Sequence, residues 1–368
     1  MSRELALAKR VVVKVGSAVL ADEEGLRRER FAAVAEGVLT LERAGKEVVL
    51  VSSGAIALGR AKLGYPPPRT LPELQALAAV GQPELVAAWE RALGEPVAQV
   101  LLDAGDLADR GRYLNAKNTL ETLLSWGVLP IVNENDTVMT EEIQFGDNDQ
   151  LAVLLAGAVE AEAILILSDV DALYDKDPRE DPSARPIREL SAVTPEVFAM
   201  ASPRPGRAGR GGMRSKLLAA KRALDAGVML WLLPGRDPEA IQKALAGEEI
   251  GTRFVPAGRK YGGKKRWLFQ VPLIEGEIVV DAGAARALRE RGASLLPVGV
   301  REVRGSFAAG APVRVVDEEG RLVGFGLVGM DSAALLRVKG LKSKEARELL
   351  GEGAPEEVIH RDQFALAD

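Results

Sequence analysis

Cysteine is absent from this 368-residue chain, and histidine occurs once, at His360, the ninth residue from the carboxyl end. The first absence excludes disulfides, thiolate nucleophiles and sulfur-ligated metals. The second argues against a histidine base. No apolar run approaches the roughly 20 residues that a membrane-crossing helix needs. Met1-Ser2-Arg3-Glu4 is not followed by the apolar core of a signal peptide, so a cytoplasmic location is expected. Internal repeats and heptads are lacking too. A net charge of −5 offers no bulk attraction to nucleic acid. With 47% hydrophobic and 27% charged residues, the chain has the composition of an ordinary globular protein long enough for two domains. The chemistry left to it is that of lysine, aspartate, serine, backbone amides and Mg²⁺, the inventory on which phosphoryl transfer draws.

The chain is organised around two polar clusters, Asn133-Glu134-Asn135-Asp136 and Gly146-Asp147-Asn148-Asp149. The first ends an apolar run, 128–132, that reads as a buried strand; the second opens an apolar helical run, 151–156. Both are expected to face one crevice, with ordinary loop and N-cap duty as the alternative. Arg10–Val15 reads as a strand buried on both faces, carrying Lys14 and ending in Gly16-Ser17. Lys14 is either a cation aimed at phosphate or a lysine that snorkels from a strand end. A helix is expected over about 27–43, a strand over 48–51 running into Ser52-Ser53-Gly54, two helices around Gly81-Gln82-Pro83, and a strand over 97–102. The Ser53-Gly54 turn suits an anion, although an empty tight turn has the same composition.

A helix over about 113–126 and strands over 163–167, 228–233 and 252–255 continue the alternation. It implies right-handed βαβ crossovers and a mostly parallel sheet. Ser168-Asp169 at a strand end suits a nucleotide ribose or base edge as well as it suits a cap. The glycine-rich stretch 202–212, leading into Met213-Arg214-Ser215-Lys216, suits phosphate but is not a Walker motif. Beyond a linker comes a small, mainly β module with strands expected over 277–280, 294–298, 312–316, 322–328 and 335–338. Its window, 274–354, holds twelve Lys plus Arg against twelve Asp plus Glu.

Seven segments in order, KVGSAVL, VSSGAIALG, AAVGQ, NEND, FGDNDQLA, LSDVDALY and GRGGMRSKL, followed by KRW and EGEIVVDAGA, closely resemble the bacterial glutamate 5-kinases, a branch of the amino acid kinase family. The resemblance spans nearly the whole chain. It implies an α/β fold, an αβα sandwich with a mainly parallel sheet of about eight strands, in residues 1–258. A linker, 259–273, a PUA-like domain, 274–354, and a C-terminal tail, 355–368, would follow. The implied reaction moves the γ-phosphoryl group of ATP, with Mg²⁺, to the side-chain carboxylate of L-glutamate, for proline synthesis.

Carried over by position, Lys14 and Lys216 neutralise the phosphoryl group and Asp149 holds both lysines. Ser53, Gly54, Asp136 and Asn148 bind glutamate, while Lys14, Ser168, Asp169, Arg210, Gly211, Gly212, Met213, Arg214, Ser215 and Lys216 bind ATP. No residue is assigned to metal. Arg210 stands where the family commonly has threonine, and Arg214 where a small polar residue is usual. The resemblance also implies feedback inhibition by L-proline, a homo-oligomer such as a tetramer, and hand-off to glutamate-5-semialdehyde dehydrogenase. The neutral PUA-like module argues against strong RNA binding. The alternatives are a relative acting on N-acetylglutamate, aspartate, carbamate or a nucleoside monophosphate, and an RNA-binding protein whose kinase-like half is inactive.

Overall fold

The computed structural model describes residues 4–22, 25–68, 70–138, 148–201, 212–257, 274, 276–351 and 354–367. Two compact units, Met1–Arg259 and Lys260–Asp368, each enclose a core of their own. In the first unit eight strands form one sheet: Arg10–Val15 (β1), Glu47–Ser52 (β2), Val97–Leu102 (β3), Leu129–Glu134 (β4), Ala163–Ser168 (β5), Glu189–Leu190 (β6), Met229–Pro234 (β7) and Thr252–Phe254 (β8). Their order is β6-β8-β7-β5-β1-β2-β4-β3. The six strands from β7 to β3 in that order run parallel, whereas β8 is antiparallel to β7 and pairs with β6 in parallel.

Between the strands lie Arg28–Arg43 (α1), Ala55–Leu63 (α2), Leu71–Leu93 (α3), Arg110–Ser125 (α4), Asn148–Ala158 (α5), Met213–Asp225 (α6) and Ala240–Ala246 (α7). Strand residues alternate between faces. Val11, Val13 and Val15 therefore join the core shared with α1, α3 and α7. Val12 and Lys14 face the other way, the side on which α5 packs against β1. From β1 the chain adds β2, β4 and β3 on one side, then crosses to β5 and β7 on the other. The carboxyl ends of β1 and β5 thus border the point where the winding reverses, where open α/β sheets bind ligands.

One expectation fails here for a clear reason. Residues 71–93 are a single helix, not two, with Pro83 inside it. Proline removes the N–H that the Ala79 carbonyl would accept, but Ala79 and Pro83 lie on the exposed face, where water serves instead. On the buried face α2 and α3 cross backbone to backbone. A Cβ on Gly81 would sit 1.8 Å from the Ala55 carbonyl oxygen, and one on Gly59 would sit 1.9 Å from that of Leu77.

The second unit contains Gly276–Val280 (β9), Val300–Gly305 (β10), Pro312–Asp317 (β11), Leu322–Leu327 (β12) and Phe364–Leu366 (β13), in the order β10-β9-β11-β12-β13. Residues 294–298 are not a strand: Leu295 makes one bridge to Ile359, and Pro297, without an N–H, opens a 3₁₀ turn. Residues 335–338 belong to a helix, Ser332–Val338, capped by Asp331, whose side chain accepts from the Ala334 amide. Leu335 and Val338, three apart, share its buried face. Helices Ala282–Arg291 and Ser343–Leu350 also belong to this unit. The stretch set apart in sequence as a tail, 355–368, carries β13 and pairs with β12. The expected linker, 259–273, lies outside the described residues.

Candidate active site

Lys14, the fifth residue of β1, lies level with Val51 and Ile166 on the flanking strands. Only 4% of its surface is exposed. A lysine so placed needs a counter-charge, and α5 supplies one in its first turn. Asp149, with no exposed surface, brings Oδ1 to 2.6 Å from Lys14 Nζ. Lys216, in the first turn of α6 and 8% exposed, donates from Nζ to Asp149 Oδ2 at 3.0 Å. Each carboxylate oxygen thus has its own ammonium, which offsets the cost of drying the charge. Together the three groups carry one surplus positive charge beside the winding reversal.

A chain of amides lies next to this centre. Asn148 Nδ2 donates to Ser53 Oγ at 2.7 Å and to Asn133 Oδ1 at 2.9 Å. Asn133 Oδ1 also accepts from the Glu134 amide, and Asn133 Nδ2 donates to Gln82 Oε1 at 2.9 Å. The ends of β2 and β4 are thereby tied to α3 and α5. Asn148 Oδ1 is buried without a hydrogen-bond partner among the described residues, as is Gln82 Nε2. Orphaned buried groups of this kind call for an explanation, and a ligand supplies one. Gly54 has a φ of +120°, a conformation that L side chains rarely adopt, so glycine is required where α2 begins. Trp89 Nε1 donates to Ser52 Oγ at 2.8 Å and holds the end of β2 from behind.

Lys14, Ser53, Asn148, Asp149 and Lys216 are thus brought into two adjoining contact sets. Gly54 follows Ser53 directly. Asp136, half-buried, begins a 3₁₀ turn after β4 that packs on α3. Ser168 closes β5, the strand beside β1, and its hydroxyl donates to Asp169 Oδ1 at 3.2 Å. Gly212 precedes α6, and Met213, Arg214 and Ser215 form its first turn. The Arg214 guanidinium lies over the Phe198 ring, 5.8 Å from its centroid. Gly146, Asp147, Arg210 and Gly211 lie outside the described residues.

Asn133 was expected at the crevice as part of its cluster but was given no role, and Gln82 was not singled out as a site residue. Their signal was present in the NEND and AAVGQ segments, but only the fold shows that the two meet. Among the described residues no group of three or more His, Asp or Glu side chains is placed to hold a metal, and both Asp149 oxygens face lysines.

The profile of the amino acid kinase family matches residues 9–231, and that of the PUA domain residues 276–350. A glutamate 5-kinase of Meiothermus ruber is 54% identical over 98% of this chain and 96% of its own length. One from Thermus thermophilus is 52% identical over 98% of both chains. Another from Desulfotalea psychrophila is 45% identical over 98% of this chain and 97% of its own.

The chain belongs to the amino acid kinase family.

Its first unit is accordingly an amino acid kinase domain, and the small β-rich unit matches the PUA domain. In a kinase of this family, two lysines sharing one dry carboxylate are suited to offset charge on a phosphoryl group in transfer. No helix among the described residues is long and apolar enough to cross a membrane.

Proposed function

We propose that this chain is an ATP-dependent glutamate 5-kinase. The observation that carries the reading is the Lys14-Asp149-Lys216 centre, set beside the Asn148-Ser53 pair at the ends of β1 and β2. The γ-carboxylate of L-glutamate attacks the γ-phosphorus of ATP; one carboxylate oxygen gains a bond to phosphorus, and the β,γ-bridging oxygen leaves with ADP. A carboxylate is already ionised at neutral pH, so no general base is needed, in keeping with a chain that has one histidine and no cysteine. Lys14 and Lys216 offset the repulsion between carboxylate and triphosphate, and Asp149 fixes the spacing of the two ammonium groups. Mg²⁺ comes with the nucleotide as part of the substrate.

Ser53, the Gly54 backbone and Asn148 bind glutamate, with the orphaned Asn148 Oδ1 as an acceptor for its ammonium and Asp136 as a counter-charge. Ser168, Asp169 and the opening of α6, from Gly212 to Lys216 with Arg210 and Gly211 before it, bind the nucleotide. We extend the same reading to a cytoplasmic location, a homo-oligomer such as a tetramer, feedback by L-proline and hand-off of the acyl phosphate to a glutamate-5-semialdehyde dehydrogenase. The neutral PUA unit gives no strong attraction to RNA. The test is acyl phosphate formation, trapped as hydroxamate, with glutamate, N-acetylglutamate and aspartate side by side in the presence of ATP and Mg²⁺. Turnover with glutamate alone is the expected result; preference for another acid moves the substrate, and absence of turnover with all three removes the reading.

A further inference from the structure

Successive residues of a helix point about 100° apart, and the first turn of α5 uses three of them in three directions. Asn148 turns to Ser53 and Asn133, Asp149 to the two lysines, and Gln150 to α6. Gln150 is buried, and both ends of its amide are engaged. Its Nε2 donates to the Ser215 carbonyl oxygen at 3.2 Å, and its Oε1 accepts from an Arg222 guanidinium nitrogen at 2.8 Å. A carbonyl only accepts and a guanidinium only donates, so the amide has a single workable orientation. Ser215 and Arg222 lie seven residues, two turns, apart on α6, and Ser215 directly precedes Lys216. One side chain therefore grips α6 at two points on one face, next to the residue whose ammonium must reach Asp149. Arg222 is half-buried, and burial pulls its pKa below the ordinary value while nearby Asp225 opposes the shift. A cation in that setting favours an acceptor held in place, which ties the clamp to the packing of α5 on α6.

We propose that Gln150 is a positioning residue for Lys216: with Arg222 it sets the rotation and depth of α6 on α5, and so the reach of Lys216 Nζ to Asp149 and to the phosphoryl group. The catalytic part of this inference rests on the kinase reading above; the clamp itself does not.

The informative variant is Gln150→Glu, which keeps size and an acceptor for Arg222 but sets a carboxylate oxygen against the Ser215 carbonyl. Turnover should fall about 10-fold with the glutamate KM unchanged, because a small displacement of a reacting group costs rate more than affinity. The midpoint of thermal unfolding should stay near that of the parent. Gln150→Asn, one methylene shorter, should not restore the rate, whereas a general packing role would tolerate it. In a Lys216→Ala background the effect of Gln150→Glu should vanish, since a residue acting only through Lys216 has nothing left to position. Additive losses in the double variant, or an unchanged rate in Gln150→Glu, would overturn the proposal. Amide hydrogen exchange gives a readout independent of turnover. Exchange across the first turn of α6 should rise about 10-fold in Gln150→Glu, with β1 unchanged; equal exchange in the two proteins rejects the clamp. A parent protein inactive with every acid would overturn the kinase reading, with the exchange experiment still deciding on the clamp.

Discussion

At the scale of single residues, the centre depends on a carboxylate with no exposed surface that two lysines share. Lys216→Ala is expected to lower turnover by about 10²-fold or more, the size of effect seen when one preorganised charge donor is removed, while circular dichroism and unfolding midpoint stay close to the parent. Near-parental turnover would remove Lys216 from the chemistry. Asp149→Asn should be at least as damaging, because it leaves two ammonium groups close together without their shared anion. For Asp136→Ala the expected change is in the glutamate KM, which should rise strongly; an unchanged KM would take Asp136 out of the acceptor site. These residues were legible in the sequence because Lys14 interrupts a run of valines and Asp149 opens an apolar helix. Asn133 was legible as part of its cluster but its partners were not, nor were Gln82, Gln150 and Arg222, since an amide inside a helix or at a strand end gives no sign of what it will face across 51 or 72 residues of chain.

At the scale of elements, the strands followed from their composition. Runs such as Val11-Val12-Val13 and Ile164-Leu165-Ile166 suit positions covered on both faces, and they came out fully buried. The break expected at Pro83 did not form, because a helix tolerates proline where the freed carbonyl faces water and where tertiary contact holds the next turn. That contact is the glycine crossing of α2 and α3, and Gly81→Ala tests it. With the new Cβ inside van der Waals range of the Ala55 carbonyl, the helices must part at a cost of about 1–3 kcal/mol. Since α2 begins just after Ser53 and Gly54, the glutamate KM should rise as well. Urea unfolding and kinetics on the same preparation check both, and a parental midpoint would show that the crossing yields without strain. In the PUA unit the expected strand at 335–338 proved helical, as three-residue spacing of apolar positions is ambiguous in so short a window.

At the scale of the whole molecule, two separate cores imply that stability can be perturbed in one unit at a time. Asp317 is a lever in the PUA unit. Burial pushes its carboxyl up, but hydrogen bonds from the Arg321 amide and side chain and from Arg289 outweigh this and hold its pKa below the ordinary value. A depressed carboxyl adds stability that is present above its unfolded pKa, about 4, and is lost as pH falls through the lower folded value. Asp317→Asn should therefore unfold more easily than the parent at neutral pH, with the gap shrinking on acidification. A gap constant with pH would mean that the charge is not what matters.

The central claim, that the acceptor's own carboxylate attacks the γ-phosphorus, has a direct test in isotope transfer. L-Glutamate labelled with ¹⁸O in its side-chain carboxylate is turned over with ATP and Mg²⁺, and the acyl phosphate is trapped with hydroxylamine, which attacks the acyl carbon and releases phosphate with the bridging oxygen. Mass spectrometry should find one ¹⁸O in each phosphate released this way; unlabelled phosphate alongside hydroxamate formation would contradict the account.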